Sequence, residues 1–593
     1  MLFNKSKEPV SGNEEKSKTE TVIHLFIYGL IPIAVFYLME AYEHNPFKEV
    51  RAEAQFFNIL LFELLGWIFY FLLGRMRPAA GILVSLAVLF GITNHYVMKF
   101  RSTPFVPWDI FSVGTAASVA REYDFTPDKR MVFVTLGFLL LFFLTHFLKN
   151  GPRFSWKIRG AGFILFVLSL CLFVNTLQKE SFQNRHYLYP FLFTPAYMTK
   201  VNGMAVTFAM DLAYVAVDKP KDYDAGEAKE ILEEYGTGEG KGEKDDKVVT
   251  KTADLPNIIV VMDEAFSDLS LLGPLPASED VMPFMHRMQQ GQKNTITGYA
   301  QVSVCGGNTA NSEFEFLTGN TMAFLPNGSI PYQQYIKKET PSLASYLKSL
   351  GYETYAQHPY LPSGWNRDQV YPLLGFDHMD FLSDYHDISY VRKYVSDESD
   401  MQHIIDTFEN KERGKPAFIF NVTMQNHGGY TDLYPDFING IQSGYESQPL
   451  DQYLSLVHLS DQALEKLVNY FSGVEEKTLI VFFGDHQPSD TVASVVENGE
   501  ETDTKTRYLV PYLVWANYHI DAAAGKNTSL NYLAAQVLSA AGVPTNDYQN
   551  YLLKLSETYP VISAAGETKS MGADEKALDT YRKLQYYQLF ERK

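Results

Sequence analysis

The stretch LPNIIVVMDEAFSDLS, residues 255–270, sets an apolar run of strand length, NIIVVM, directly before two carboxylates, Asp263 and Glu264. The arrangement recurs in TLIVFFGDHQPS, residues 478–489, where Asp485 and His486 follow the run. ETYAQ at 353–357 and PAFIFNVTM at 416–424 are further strand-like runs, and helix-like segments such as TPSLASYLKSLG (340–351) and LDQYLSLVHLSDQALEKLVNYFSG (450–473) fill the intervals. Strand alternating with helix predicts a mainly parallel central sheet covered on both faces. Ligands of such α/β sheets bind at the carboxyl ends of the strands, so the polar residues placed just after each run are the candidates for function.

Working towards the amino terminus, the composition changes. Residues 1–180 hold 18 Lys and Arg against 14 Asp and Glu, whereas the remainder holds 32 against 55 within a chain of 593 residues and net charge −19. A nucleic-acid partner is disfavoured, because binding phosphates needs a basic surface. Five stretches, near 21–41, 55–74, 79–98, 130–148 and 158–177, are long and apolar enough to cross a bilayer, which takes about 20 residues. LLFELLGWIFYFLLG (60–74) and FVTLGFLLLFFLTHFL (133–148) are apolar on every face, unlike the one-sided stripe of a core helix.

Lys and Arg gather in the loops after the second and fourth spans, at Arg75, Arg77, Lys149, Arg153, Lys157 and Arg159, and in the head at Lys5, Lys7, Lys16 and Lys18. The positive-inside rule then puts residues 1–20 in the cytoplasm, and five spans over 21–178 leave everything beyond about residue 180 outside the cell. The external loop 99–129, around Trp108 and Phe111, reads as a helix lying in the interface. Residues 179–255 read as a juxtamembrane segment and flexible linker ending in GTGEGKGEKDDK (236–247), and 256–593 as the extracellular domain. Cys171 lies in an apolar span and Cys305 far downstream, so no disulfide is expected.

Carboxylate oxygens and an imidazole nitrogen at two strand ends suit Mn²⁺, Mg²⁺ or Zn²⁺. Between them lies VSVCGGNTANSEFEFLTGN, residues 302–320, in which Thr309 precedes a helix start that would attract a phosphate. A threonine hydroxyl there is a nucleophile if a metal lowers its pKa, and otherwise a simple helix cap.

LPNIIVVMDEAFSDLS, GGNTANSEF (306–314), HPYLPSGWNRD (358–368), TMQNHGGY (423–430) and GDHQPS (484–489) stand in the order and spacing of a known family. The chain resembles the lipoteichoic acid synthase and phosphoglycerol transferase family of the alkaline phosphatase and sulfatase superfamily, from about residue 20 through the terminal LDTYRKLQYYQLF (578–590). The resemblance implies an extracellular sulfatase-like α/β domain behind five transmembrane helices, in the cell membrane of a Gram-positive type bacterium. It implies that Glu264, Thr309, Asp485 and His486 hold one metal, usually manganese, with Thr309 as nucleophile. His427 corresponds to the histidine beside the phosphate, and His358, Trp365 and Arg367 to the residues that hold the phosphoglycerol group. Cys305 lacks the C-x-P-x-R context of a sulfatase formylglycine, and Gly-Gly-Asn stands before Thr309 where synthases carry a lysine nearby.

The implied reaction moves glycerol phosphate from phosphatidylglycerol, through a phosphothreonine, to a polyglycerolphosphate chain, a glycolipid anchor or a wall glycan. Transfer of another phospho-alcohol such as phosphoethanolamine is the alternative. A noncatalytic membrane scaffold of the same fold would be expected to lack a metal ligand, and all four are present.

Overall fold

The computed structural model describes residues 11–592 except 102–103, 113–124, 150, 153, 190–194, 216, 237–254, 327–328, 498–504 and 566–574. The chain divides into two compact units, essentially residues 1–216 and 217–593.

In the first unit, four helices are long and apolar enough to cross a membrane among the described residues: Thr19–Glu40, Ala52–Leu73, Met76–Lys99 and Trp156–Leu177. The span expected at 130–148 forms a helix of 17 residues, Lys129–Thr145, at the short limit for crossing a bilayer. The count of five spans therefore stands at four clear helices and one short one. Arg130 fixes the short helix at its start, because its Nε and Nη1 donate to the carbonyls of Ala41 (2.9 Å) and Glu43 (2.6 Å), just past the end of the first helix. The interfacial helix expected over 99–129 falls largely on residues outside the described set. The part that is described contains a 3₁₀ turn, Pro107–Ser112, in which Trp108 is buried.

Within 179–255, read from sequence as a juxtamembrane segment and flexible linker, the described residues form several short helices. Helices Glu180–Arg185, Pro195–Asn202 and Met204–Asp211 belong to the first unit. Asn58 ties the last of these down, donating to the Asn202 carbonyl (2.7 Å) and accepting from the Val206 N–H (3.0 Å). Helix Ala225–Tyr235 belongs to the second unit and buries Ala228 and Leu232 against Tyr532, Tyr551 and Tyr581. These helices carry enough apolar residues to bury a face, and the GTGEGKGEKDDK stretch lies, from residue 237, outside the described residues.

The second unit is built on strands β1 (Asn257–Asp263), β2 (Thr295–Gln301), β3 (Glu353–His358), β4 (His378–Phe381), β7 (Ala417–Val422), β8 (Thr478–Gly484), β9 (Leu509–Ala516) and β10 (Thr528–Ser529), with a separate hairpin of β5 (Tyr390–Val391) and β6 (Tyr394–Val395). The large sheet has the order β10-β2-β9-β8-β1-β7-β3-β4, and β9 alone runs against the others. Along β1, Ile258, Val260 and Met262 enter the core on one face and Ile259 and Val261 the core on the other. That two-sided burial is why these strands read as continuous apolar runs. The register places Asp263 beside Gly484 and Gln357 beside Asn421, so the residues just beyond β1, β8, β7 and β3 emerge together at one edge.

Candidate active site

Glu264 leaves the end of β1 with its backbone N–H donated to Thr423 Oγ1 (3.1 Å), a residue just beyond β7. Asp485 and His486 leave β8 beside it. Ligand atoms of Glu264, Asp485 and His486 lie within 4.8 Å of one another, and all three side chains are buried. Asp485 accepts the Ala265 N–H at Oδ1 (2.7 Å), and His486 engages the Gln487 carbonyl through Nδ1 (2.9 Å), which fixes the tautomer and leaves Nε2 with a lone pair. Asp485 Oδ2 and His486 Nε2 are then buried with no hydrogen-bond partner, 3.2 Å apart. Burial, and for Glu264 the neighbouring Asp485, hold both carboxyl groups above their ordinary pKa. Two buried carboxylates and an orphaned imidazole nitrogen converging in this way fit a single divalent cation. Asp263 is not in that group, and its Oδ1 accepts from Asn426 Nδ2 (3.0 Å).

Thr309 opens the helix Thr309–Thr318, every residue of which is buried. Its hydroxyl lies 3.3 Å from Glu264 Oε2. The chain reaches this position through Gly306 (φ 69°), Gly307 (φ 148°) and Asn308 (φ 65°), three successive residues in conformations that disfavour ordinary side chains. Asn308 is among the residue types that tolerate the left-handed region, which gives a backbone reason for Asn immediately before the nucleophile candidate. At the far end of the same helix, the Gly319 carbonyl accepts from Tyr581 Oη (2.7 Å), so the terminal helix Glu575–Tyr586 anchors the helix that carries Thr309.

His358, Trp365 and Arg367 also come to this edge, in distinct ways. Arg367 is buried and clamped by Glu313, which accepts from Nε (3.1 Å) and from Nη2. His358 donates Nδ1–H to the Val422 carbonyl (2.8 Å) and accepts from Arg367 Nη1 at Nε2 (3.0 Å). Burial and the adjacent guanidinium hold its pKa well below the ordinary value, so it is neutral. Both of its ring nitrogens are thus occupied by the protein, and its direct partner is Arg367. Trp365 is half-buried on a 3₁₀ turn at φ 56°, ψ 20°, and Asn366 follows at φ 58°, ψ 31°. Two successive non-glycine residues in the left-handed region mark a turn whose conformation the surroundings impose.

His427 follows β7 and is exposed at the rim, with Nδ1 3.1 Å from the Tyr394 hydroxyl. Crowding by protein atoms, reinforced by His486, Lys393 and Arg392, lowers its pKa to about 4.

Glu313, Thr423 and Tyr371 were not among the residues singled out from sequence. Glu313 had a readable signal: it stands four residues after Thr309, on the same face of that helix. Its second oxygen accepts from Tyr371 Oη (2.8 Å). Thr423 and Tyr371 acquire their roles from strand and helix packing alone.

Residues 256–543 match the Sulfatase family. Over 561 residues the chain is 29% identical to the "Putative cyclic beta-1,2-glucan modification protein" of Rhizobium meliloti (strain 1021), covering 88% of this chain and 83% of that one. It is 25% identical over 284 residues to lipoteichoic acid synthase 2 of Bacillus subtilis (strain 168), covering 46% of this chain and 42% of the synthase. Among solved structures, the Streptococcus pyogenes phosphoglycerol transferase GacH, in complex with sn-glycerol-1-phosphate, shares the fold with a TM-score of 0.51 at 21% identity, covering 63% of this chain and 95% of GacH. Residues 256–543 are therefore similar to the Sulfatase family, and the lipoteichoic acid synthases are among the relatives of the chain.

Proposed function

We propose that this protein is a membrane-bound phosphoglycerol transferase that takes its donor, phosphatidylglycerol, from the bilayer and passes the phosphoglycerol group through Thr309 to a glycan or glycolipid acceptor, or to a polyglycerolphosphate chain. The observation that carries the reading is the Thr309 hydroxyl, 3.3 Å from Glu264 at the start of a buried helix, beside the unpartnered Asp485 Oδ2 and His486 Nε2.

Glu264, Thr309, Asp485 and His486 would hold the cation, Mn²⁺ in this reading, and it supplies the charge that acidifies the threonine hydroxyl and screens the phosphoryl oxygens. Thr309 Oγ1 attacks phosphorus, the bond from phosphorus to the diacylglycerol oxygen breaks, and the proton given up by Thr309 ends on that departing oxygen, giving a phosphoglyceryl-threonine and free diacylglycerol. An acceptor hydroxyl then attacks the same phosphorus and frees Thr309. His427, neutral at pH 7 and bound through Nδ1 to Tyr394, takes the acceptor's proton. Arg367 faces the phosphoglycerol group, Trp365 covers the glycerol, and His358 serves as a positioning residue for Arg367. The relative with glucan modification in its name matches over most of this chain, which supports a glycan acceptor. The Lys and Arg of the loops, with helix Lys129–Thr145 counted as a span, support a catalytic domain outside the cell.

The test is mass spectrometry of the full chain in detergent with phosphatidylglycerol and Mn²⁺. The expected result is one phosphoglycerol on the peptide carrying Thr309, with release of diacylglycerol, and neither product after chelation or in Thr309→Ala. An adduct formed with phosphatidylethanolamine instead would reassign the donor. Absence of any adduct with the metal bound would remove the covalent mechanism.

A further inference from the structure

Among the described residues of 217–593, the exposed large apolar side chains are Tyr390, Leu433 and Ile438, at 53%, 80% and 88% exposure. All three lie on the two segments that frame His427. Tyr390 is in the β5–β6 hairpin, whose Tyr394 meets the His427 ring, and Leu433 and Ile438 are in the loop 430–441, which begins three residues after His427.

That loop is held at both ends. Tyr430 is buried and donates to the Asn426 carbonyl (2.6 Å), and Ile441 is buried with its N–H donated to Ser455 Oγ (3.0 Å). Its base is tied across to the hairpin, because Arg392 donates to the carbonyls of Gln425 (2.8 Å) and His427 (2.7 Å) and lies 5.5–5.7 Å from the rings of Tyr394, Tyr430 and Tyr434. Gln452 adds a hydrogen bond to the Asp432 carbonyl (2.9 Å). The apolar tips are therefore presented to solvent by an ordered base, and a monomer in water gains nothing by presenting them.

We infer that the 430–441 loop and Tyr390 form a lipid-contacting rim, which enters the interfacial layer of the bilayer beside the candidate active site and holds its mouth against phospholipid headgroups. The same chain carries four helices of membrane length, so a bilayer is always within its reach. Leu433 and Ile438 supply apolar contact, and Tyr390 and Tyr434 the amphipathic rings that settle at headgroup depth. Asp432 and Asp436 flank the tips, so contact depends on apolar insertion and not on anionic lipid.

The inference relies on the phospholipid-donor reading only for its activity measurement. The first measurement uses the full chain in vesicles of phosphatidylcholine alone or mixed with phosphatidylglycerol, with Cys171 and Cys305 replaced by serine. A fluorophore is placed at Leu433→Cys, Ile438→Cys or, as reference, Ala522→Cys, an exposed site after β9 at the opposite end of the parallel strands. Nitroxide-bearing lipids are expected to quench the labels at 433 and 438 in both vesicle types and to leave the label at 522 bright.

In the second measurement, the double variant Leu433→Asp, Ile438→Asp consumes vesicle phosphatidylglycerol about tenfold more slowly or worse, and a short-chain, water-soluble phosphatidylglycerol at the wild-type rate. Labels at 433 and 438 that behave like the one at 522 overturn the inference, as does cross-linking of 433 between two copies in place of lipid quenching. Lipid quenching in a wild-type protein that consumes no phosphatidylglycerol supports the rim and sinks the donor assignment.

Discussion

Glu313 shows how one buried residue sets the chemistry of another. It is fully buried, four residues from Thr309, and occupies one edge of the Arg367 guanidinium while Tyr371 satisfies its other oxygen. A paired charge in such a place is tolerated because each member compensates the other, and removing one costs about 3–5 kcal/mol. Glu313→Gln keeps the shape and removes the charge. The expected outcome is lower thermal stability and, in the proposed reaction, a roughly 10- to 100-fold slower formation of the Thr309 adduct, because Arg367 would be misplaced for the phosphoglycerol group. Metal content should be unchanged, since Glu313 is not among the grouped ligands. Elemental analysis together with adduct kinetics separates this from a site that has lost its metal. The Glu313–Arg367 pairing was beyond a reading of sequence, because its members lie 54 residues apart and nothing local joins them.

At the scale of elements, helix Pro283–Gln289 illustrates how a side helix is fixed to the sheet. Asp461 accepts the N–H groups of Phe284 (2.7 Å) and Met285 (2.8 Å) at its start, and His286 on the helix lies 2.7 Å from Asp280 and 3.9 Å from Asp268. Asp268 also receives the hydroxyl of Tyr299 in β2 (2.8 Å), so the histidine links helix, loop and strand. Asp268, then the charge of Asp280, raises the His286 pKa to about 9. A raised histidine pKa means that the folded state holds the proton more tightly than the unfolded chain. Its contribution is complete below about pH 6.5 and fades as the pH rises to about 9. Thermal unfolding of wild type and His286→Gln should therefore differ most near pH 6 and converge above pH 9. A gap that widened with pH would contradict the linkage.

For the molecule as a whole, the boundary of the second compact unit lies upstream of the sulfatase match. The match begins at residue 256, but helix Ala225–Tyr235 covers Tyr551, Tyr581 and Leu584. A chain beginning at residue 217 keeps that cover, whereas one beginning at 256 exposes the aromatic patch. The shorter chain is expected to unfold at lower temperature and to bind an apolar dye more strongly, while a chain from 217 melts in one sharp transition. Equal melting of the two would make the helix dispensable. The helix at 225–235 is not legible in sequence, because eleven residues with six charged or polar positions, AGEAKEILEEY, look like solvated chain until the surface they cover is known.

Much was nevertheless carried by order along the chain. NIIVVM, PAFIFNVTM and TLIVFFG became strands, because a strand buried on both faces is apolar along its length and so announces itself, and ETYAQ became one despite its polar Glu353, Thr354 and Gln357. The grouping of Glu264, Asp485 and His486 follows from that reading, since adjacent parallel strands deliver their next residues to one edge. Tertiary structure alone decided strands β2 and β9, which lie between β10 and β8 and are interrupted by Gly298 and Pro511, and the antiparallel direction of β9. It also decided that His358 spends both ring nitrogens inside the protein, that Glu313 holds Arg367, and that Leu433 and Ile438 stand exposed beside His427. Periodicity reports which face of an element is buried, whereas these outcomes depend on which distant element supplies the burial, and a local pattern cannot encode that.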